Sequence, residues 1–178
     1  MTAGRLLLTP EDRDAAARVR RLRGLGLGER AEPELDDFAR RVADLAAVPY
    51  AMVNFVDGRR QFFAGLHQPD DRPLTAAPVR ELSRAYGFCP HVVVRRKALV
   101  LEDVRDYPRF AQNPAVDELG LRSYLGAPLV DRTGIALGTV CAVDLEPRPW
   151  GRSGLETIKE LAAELTERLA RREAPGSR

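Results

Sequence analysis

Cys89 and His91, two positions apart, are the residues of this chain whose types and spacing come nearest to a reactive pair. Pro90 between them suits the first turn of a helix, and a thiol at a helix N-terminus faces amide donors that lower its pKa toward the reactive range. Cys89 would then be a redox centre or a covalent attachment point, with His91 as base or orienting group. The plainer alternative is that Cys89 packs as a small apolar side chain and His91 makes one structural hydrogen bond. Cys141 lies in an apolar stretch that reads as a central strand, so it is expected to be interior and inert. The chain has only these two cysteines, no C-x-x-C, and only His67 and His91 as histidines, so neither a zinc site nor any other metal site is expected. No second carboxylate or cysteine cluster accompanies Cys89, so no catalytic residue is assigned and the expectation is binding rather than turnover.

Aromatic and polar residues gather between Pro78 and Tyr124. Phe88, Tyr107 and Phe110 could wall a pocket or simply fill a core. Arg122 and Tyr124 alternate onto one face of a strand. Facing inward, Arg122 would anchor an anion; at the sheet rim it would pair with a carboxylate such as Asp103. The candidate ligand site is therefore the set Phe88, Cys89, His91, Phe110, Arg122 and Tyr124, with apolar walls, one fixed positive charge and a few hydrogen-bonding groups. Asn113 is explained as a helix N-cap before Pro114.

These residues must be positioned by a chain of 178 residues, a length suited to one domain that buries its own core. The 28 basic and 26 acidic residues are interspersed, which argues against a nucleic-acid surface. No apolar run approaches the ~20 residues that span a bilayer, so no membrane partner is expected. The N-terminal leucines are too short a run for a secretory core, which implies a cytoplasmic protein.

Thr9-Pro10-Glu11-Asp12 opens a first helix with Ala15, Val19 and Leu22 on one face and Arg13, Arg20 and Arg23 on a solvated one; Gly24, Gly26 and Gly28 end it. A second helix starts near Pro33, repeats Leu35, Phe38, Val42 and Leu45, and stops before Pro49. Tyr50 to Val56 and Arg59 to Leu66 flank Asp57-Gly58 as a β-hairpin. His67 to Ala77 reads as a loop, Pro78 to Tyr86 as a short helix, Pro90 to Arg96 as a helical turn and Ala98 to Asp103 as a strand. Asn113-Pro114 starts a helix that Gly120 closes, and Leu121 to Val130 and Ile135 to Val143 form a second hairpin. Ser153-x-x-Glu156 is a capping box for a final helix with a coiled-coil-like seam at Leu155, Ile158, Ala162, Leu165 and Leu169. Hairpins imply antiparallel pairing, so the fold class is α+β, one antiparallel sheet sandwiched between helices.

Four blocks occur in a telling order: Val56-Asp57-Gly58-Arg59-Arg60-Gln61-Phe62-Phe63; Gly87-Phe88-Cys89-Pro90-His91; Asp103 with Arg109-Phe110-Ala111-Gln112-Asn113-Pro114; and Leu121 to Leu129 running on to Gly138-Thr139-Val140-Cys141-Ala142-Val143-Asp144. In that order and spacing the chain resembles a GAF domain of the kind found in many bacterial sensor proteins, over about Glu34 to Arg171. Where the family's second block usually begins Ser-Phe-Cys, this chain has Gly87-Phe88-Cys89. The resemblance implies a sheet of about six antiparallel strands, terminal helices on one face and a ligand pocket on the other. Residues 1–30 then form an N-terminal helix and Gly-rich linker, 31–171 the GAF domain with its C-terminal helix, and 172–178 a disordered tail.

The expected function is small-molecule sensing by a module with no catalytic or DNA-binding domain of its own, signalling through its terminal helices to a separate effector protein. The seam of the final helix predicts a homodimer. Two alternatives stand beside this reading: a thiol-based redox enzyme or sensor using Cys89, resembling the GAF lineage that reduces free methionine sulfoxide, and a ligand-free dimerisation module. Cys89-Pro90-His91 is also similar to the bilin-attaching cysteine of phytochrome-type GAF domains, but the other chromophore-binding residues of those proteins are not evident. Haem ligation would rest on a lone imidazole. The cyclic-nucleotide signature of the family is absent, and no cofactor is assigned.

Overall fold

The structure, a computed structural model, describes residues 11–74 and 80–173. Two helices come first, α1 (Ala15–Leu25) and α2 (Pro33–Ala46), followed by the hairpin β1 (Tyr50–Val56) and β2 (Arg60–His67). The short strand β3 (Glu81–Ser83) leads into α3 (Cys89–Arg95) and β4 (Leu99–Leu101), and a 3-10 turn at Val104–Asp106 precedes α4 (Pro108–Ala111) and α5 (Pro114–Leu119). The second hairpin, β5 (Ser123–Val130) and β6 (Ala136–Asp144), ends at the long helix α6 (Gly151–Ala170). The six strands make one antiparallel sheet in the order β3-β2-β1-β6-β5-β4, the α+β architecture expected.

The two central strands, β1 and β6, are buried along their whole length. They read as near-continuous apolar runs because both faces of the sheet are covered. On one face, Ala51, Val53 and Phe55 pack with α2 residues Leu35, Phe38 and Val42 and with α6 residues Ile158, Leu161, Leu165 and Leu169. Leu22, Leu25 and Leu27 join that core from the first helix and the Gly-rich segment after it. On the other face, Tyr50, Met52, Cys141 and Val143 pack with Phe88, Val92, Phe110 and Val116 from the shorter helices. Gly65 lets α2 sit tightly on β2, since a Cβ there would lie 2.3 Å from the Leu35 carbonyl oxygen.

Several sequence expectations need correction. Where the chain is described between Pro78 and Tyr86 there is a strand, not a helix: Leu82 turns inward between exposed Glu81 and Ser83, and β3 pairs with β2 at Gln61. The Ser153 capping box is unused. Helix α6 begins two residues earlier, at Gly151, whose N–H donates to Glu102 Oε2 at 3.0 Å while the Trp150 indole donates to Leu101 O at 3.2 Å. Of the α6 seam, Ile158, Ala162, Leu165 and Leu169 pack in the core against the sheet, and Leu155 is half-buried outside it. Leu45, assigned to the buried face of α2, is 56% exposed. Thr9 and Pro10, which would open the first helix, lie outside the described residues, as does most of the tail.

One charged residue enters the interior. Arg18 of α1 is 1% exposed; its Nε donates to Ala136 O at 2.6 Å, and its two terminal nitrogens grip the Asp12 carboxylate at 2.6 and 3.1 Å. Arg84, just past β3, reaches the same carboxylate at 3.1 Å. Burial alone would raise the Asp12 pKa, and the hydrogen bonding and charge of Arg18, with the charge of Arg84, bring it below the usual carboxylate range.

Candidate functional site

Between the sheet and the shorter helices lies a small cavity of about 40 Å³. Met52 and Asn54 of β1, Gln61 and Phe63 of β2, Cys89 of α3, Tyr124 of β5 and Val143 of β6 form its floor; Phe88 and Ala115 close one side, and half-buried Leu74, Leu82, Tyr86 and Leu119 surround the mouth. That space holds a few water molecules, so a larger guest has to part the half-buried residues of the mouth.

The local sequence explains how the side near Cys89 is held. Gly87 adopts φ +77°, which turns the chain sharply into α3. Asn113 caps α5 by accepting from Ala115 N at 3.0 Å, and the same amide grips Gly87 on both sides, accepting from its N–H at 2.8 Å and donating to its carbonyl at 2.9 Å. The N-cap role read from sequence holds, and Asn113 additionally fixes the segment that delivers Phe88 and Cys89. Phe88 then meets Phe110 and Tyr124 edge-on, each with ring centroids 5.4 Å apart.

Cys89 is the chemical centre of the floor. Its Sγ lies 3.1 Å from the Tyr124 hydroxyl, accepts from Thr139 Oγ1 at 3.0 Å, and is 3.6 Å from Cys141 Sγ. Burial pushes this thiol up, but hydrogen bonds from Cys141, Thr139, Tyr124 and Asn54 favour the thiolate and bring it to about 7. Cys141 moves the opposite way, raised by its hydrogen bond to Cys89 and by burial. Burial, with the neighbouring sulfurs, also raises the Tyr124 hydroxyl, so it stays protonated.

An amide pair lies beside the thiol. Gln61 Nε2 donates to Ser83 O at 2.9 Å and Tyr86 O at 2.6 Å, which fixes Gln61 Oε1 as an acceptor; it takes its hydrogen from Asn54 Nδ2 at 2.8 Å. The chain of donors therefore fixes Asn54 as well, leaving its Oδ1 buried without a hydrogen-bond partner among the described residues.

Of the six residues expected to bound the site, Phe88, Cys89 and Tyr124 line this cavity. Phe110 packs behind Phe88. His91 stacks edge-on against Phe110 at 5.2 Å and opens onto a separate cavity shared with Arg95 and Leu99, so the hydrogen bonds at the Cys89 thiol come from other residues. Burial, reinforced by the charge of Arg109, lowers the His91 pKa to about 4, and the ring is neutral at pH 7. Arg122 stands apart at the sheet rim, where its Nε and Nη2 hold the Asp103 carboxylate at 3.2 and 2.8 Å. Asn54, Gln61 and Thr139 were not anticipated, although polar Asn54 inside the apolar run Tyr50 to Val56 was a visible signal. Cys141 is interior as expected, yet it touches Cys89.

Among the described residues no group of His, Cys, Asp and Glu could hold a metal, and no helix is long and apolar enough to cross a membrane. Arg13, Arg20 and Arg23 are solvent-exposed.

A family model described as GAF domain matches residues 30–169. A cyclic di-GMP phosphodiesterase of Pseudomonas aeruginosa is 29% identical over 141 residues, covering 78% of this chain; the chain spans only 23% of that protein's length. The fold is similar to the GAF domain of the Acinetobacter phosphoenolpyruvate-protein phosphotransferase, with a TM-score of 0.61 and 20% identity over 94% of this chain and 100% of that one. It is also similar to the free methionine-R-sulfoxide reductase of Neisseria meningitidis in complex with its substrate, with a TM-score of 0.54 and 19% identity over 92% of this chain and 95% of that one.

Proposed function

Because the chain belongs to the GAF domain family, typically a sensing and signalling module, we propose that it binds a small molecule in the cavity floored by Asn54, Cys89 and Tyr124 and passes the change through its terminal helices to a separate effector protein. The observation that carries this reading is the apolar-walled cavity over Cys89 and Tyr124, beside which Asn54 Oδ1 is buried without a hydrogen-bond partner among the described residues. Leaving such a group unpaired costs about 1–3 kcal/mol, which a ligand N–H or O–H would recover. The lining suits a small molecule with an apolar body and one hydrogen-bond donor, admitted as the residues of the mouth move apart.

A chain of ion pairs supports a coupling route to the first helix. Leu82 and Tyr86 form part of the cavity mouth, and Arg84 between them binds Asp12, which in turn holds Arg18 of α1. A ligand that draws β3 inward changes the setting of α1 through that shared carboxylate. On the opposite face α6 packs on β5, which carries Tyr124.

Thermal-shift measurements on the full chain, with indole and p-cresol as probes, test this reading. Both should raise the unfolding midpoint of the wild type and lose that effect in Leu119→Trp, which fills the mouth from a half-buried position. Native mass spectrometry of freshly purified protein should show a retained small molecule. No probe shift and no retained mass would overturn it.

A further inference from the structure

Cys89 is the first residue of α3 and Cys141 lies in the central strand β6, 52 positions away in sequence, yet their sulfurs are 3.6 Å apart and both residues are buried. Bonded sulfurs sit about 2.05 Å apart, so closure asks for about 1.5 Å of approach, within reach of χ1 adjustment in two side chains that each have one rotatable bond to sulfur. The two thiols are also not equivalent. Cys89 lines the cavity, whereas Cys141 does not and lies against it on the sheet. Thr139 and Tyr124 place hydroxyls within 3.1 Å of Cys89 Sγ, a donor set suited to a developing thiolate.

We propose that Cys89 and Cys141 form an oxidation site at which a hydroperoxide entering the cavity converts the two thiols into a reversible intramolecular disulfide. This goes beyond ligand sensing and requires no resident ligand. The low pKa of Cys89 relative to its partner agrees with the order of attack. In the first step the Cys89 thiolate attacks one peroxide oxygen and the O–O bond breaks. The departing alkoxide or hydroxide takes the proton that Cys89 gave up, and Cys89 becomes a sulfenic acid. In the second step Cys141 sulfur attacks Cys89 sulfur and the S–O bond breaks. Hydroxide leaves with the Cys141 proton as water. Two thiols lose two electrons in all, and one hydroperoxide is reduced to an alcohol and water, or to two waters when the oxidant is hydrogen peroxide. An exogenous dithiol reverses the reaction by exchange.

Spacing alone does not couple these cysteines, because neither lies in a C-x-x-C and their approach depends on the packing that sets α3 against β6. The test uses the full reduced chain, hydrogen peroxide at neutral pH, and alkylation with N-ethylmaleimide after denaturation, read by intact mass. Both thiols should be alkylated before oxidation, neither after, and both again after dithiothreitol. The oxidised protein should remain a single chain on a non-reducing gel, and peptide mapping should join the Cys89 peptide to the Cys141 peptide. Cys141→Ala should stop at a sulfenic acid on Cys89 that dimedone captures, and Cys89→Ala should leave Cys141 as a free thiol under the same exposure. If either variant fails to fold, the wild-type peptide map still decides. Oxidised wild type that keeps two free thiols, accumulates sulfinic acid on Cys89 without a disulfide, or cross-links between chains overturns the proposal. Probe binding by the reduced protein is unaffected by that outcome, so the ligand reading and the redox site fail separately.

Discussion

Gly138→Ala should damage both the fold and the site through a single methyl group. Gly138 pairs with Phe55 across the central β1–β6 ladder, and a Cβ built there lies 2.0 Å from the Asn54 carbonyl oxygen and 2.9 Å from Phe55 Cα. Carbon and a carbonyl oxygen do not approach within about 3 Å, so β1 must retreat by at least about 1 Å, and the obstacle is backbone that cannot rotate away. Ladder hydrogen bonds next to Asn54 then stretch beyond useful geometry at about 1 kcal/mol each, on top of an overpacking cost of about 1–3 kcal/mol. A total of about 3 kcal/mol lowers the thermal midpoint of a domain this size by about 6–12 °C. Circular dichroism melts of Gly138→Ala against wild type measure this, with Gly58→Ala as control, since a Cβ at Gly58 meets nothing within 4 Å. The control should stay within about 0.5 kcal/mol of wild type. Displacing Asn54 should also weaken binding of indole in the cavity. A Gly138→Ala protein that melts within about 2 °C of wild type would refute the close-approach argument.

Two other outcomes follow from the charges. His91 is neutral when folded, with its pKa lowered by burial to about 4 from an ordinary 6.5, so the unfolded chain binds the extra proton between those values. Its contribution to stability is complete above pH 6.5 and is lost as pH falls toward 4. The loss should amount to about 2 kcal/mol after solvent screening, and His91→Leu should show a correspondingly flatter decline in denaturant midpoints over pH 4–7. Arg122→Ala, which removes the rim pair with Asp103, should leave binding of cavity probes unchanged in thermal-shift assays; a loss of probe binding would return Arg122 to the site.

The periodic and punctuated parts of the fold were legible from sequence. Asp57-Gly58 and Asp131 to Gly134 mark hairpins whose flanking runs can only be strands, and Asn113-Pro114 with Gly120 bounds α5 on both sides. What misled were signals that tertiary contacts override. Three residues of β3 are too few to reveal period two, and Glu102, distant in sequence, caps α6 at Gly151 in place of the expected Ser153. The candidate site was half legible. Phe88, Cys89 and Tyr124 carry their chemistry in the sequence, but the direction of Arg122 depended on whether Asp103 lay beside it. The Cys89–Cys141 contact depends on how α3 packs on β6, and the Asn54–Gln61 amide pair on β1–β2 register, neither of which a residue list contains.

The sheet order has one more consequence, for how the molecule avoids its own kind. Both exposed edges, β3 and β4, are only three residues long, and each is flanked by charge, Arg80 and Glu81 at one and Lys97 and Glu102 at the other. Short, charged edges give a neighbouring strand too little unpaired backbone to template on, so the long apolar strands β1 and β6, which would be dangerous at a margin, are kept in the middle of the sheet.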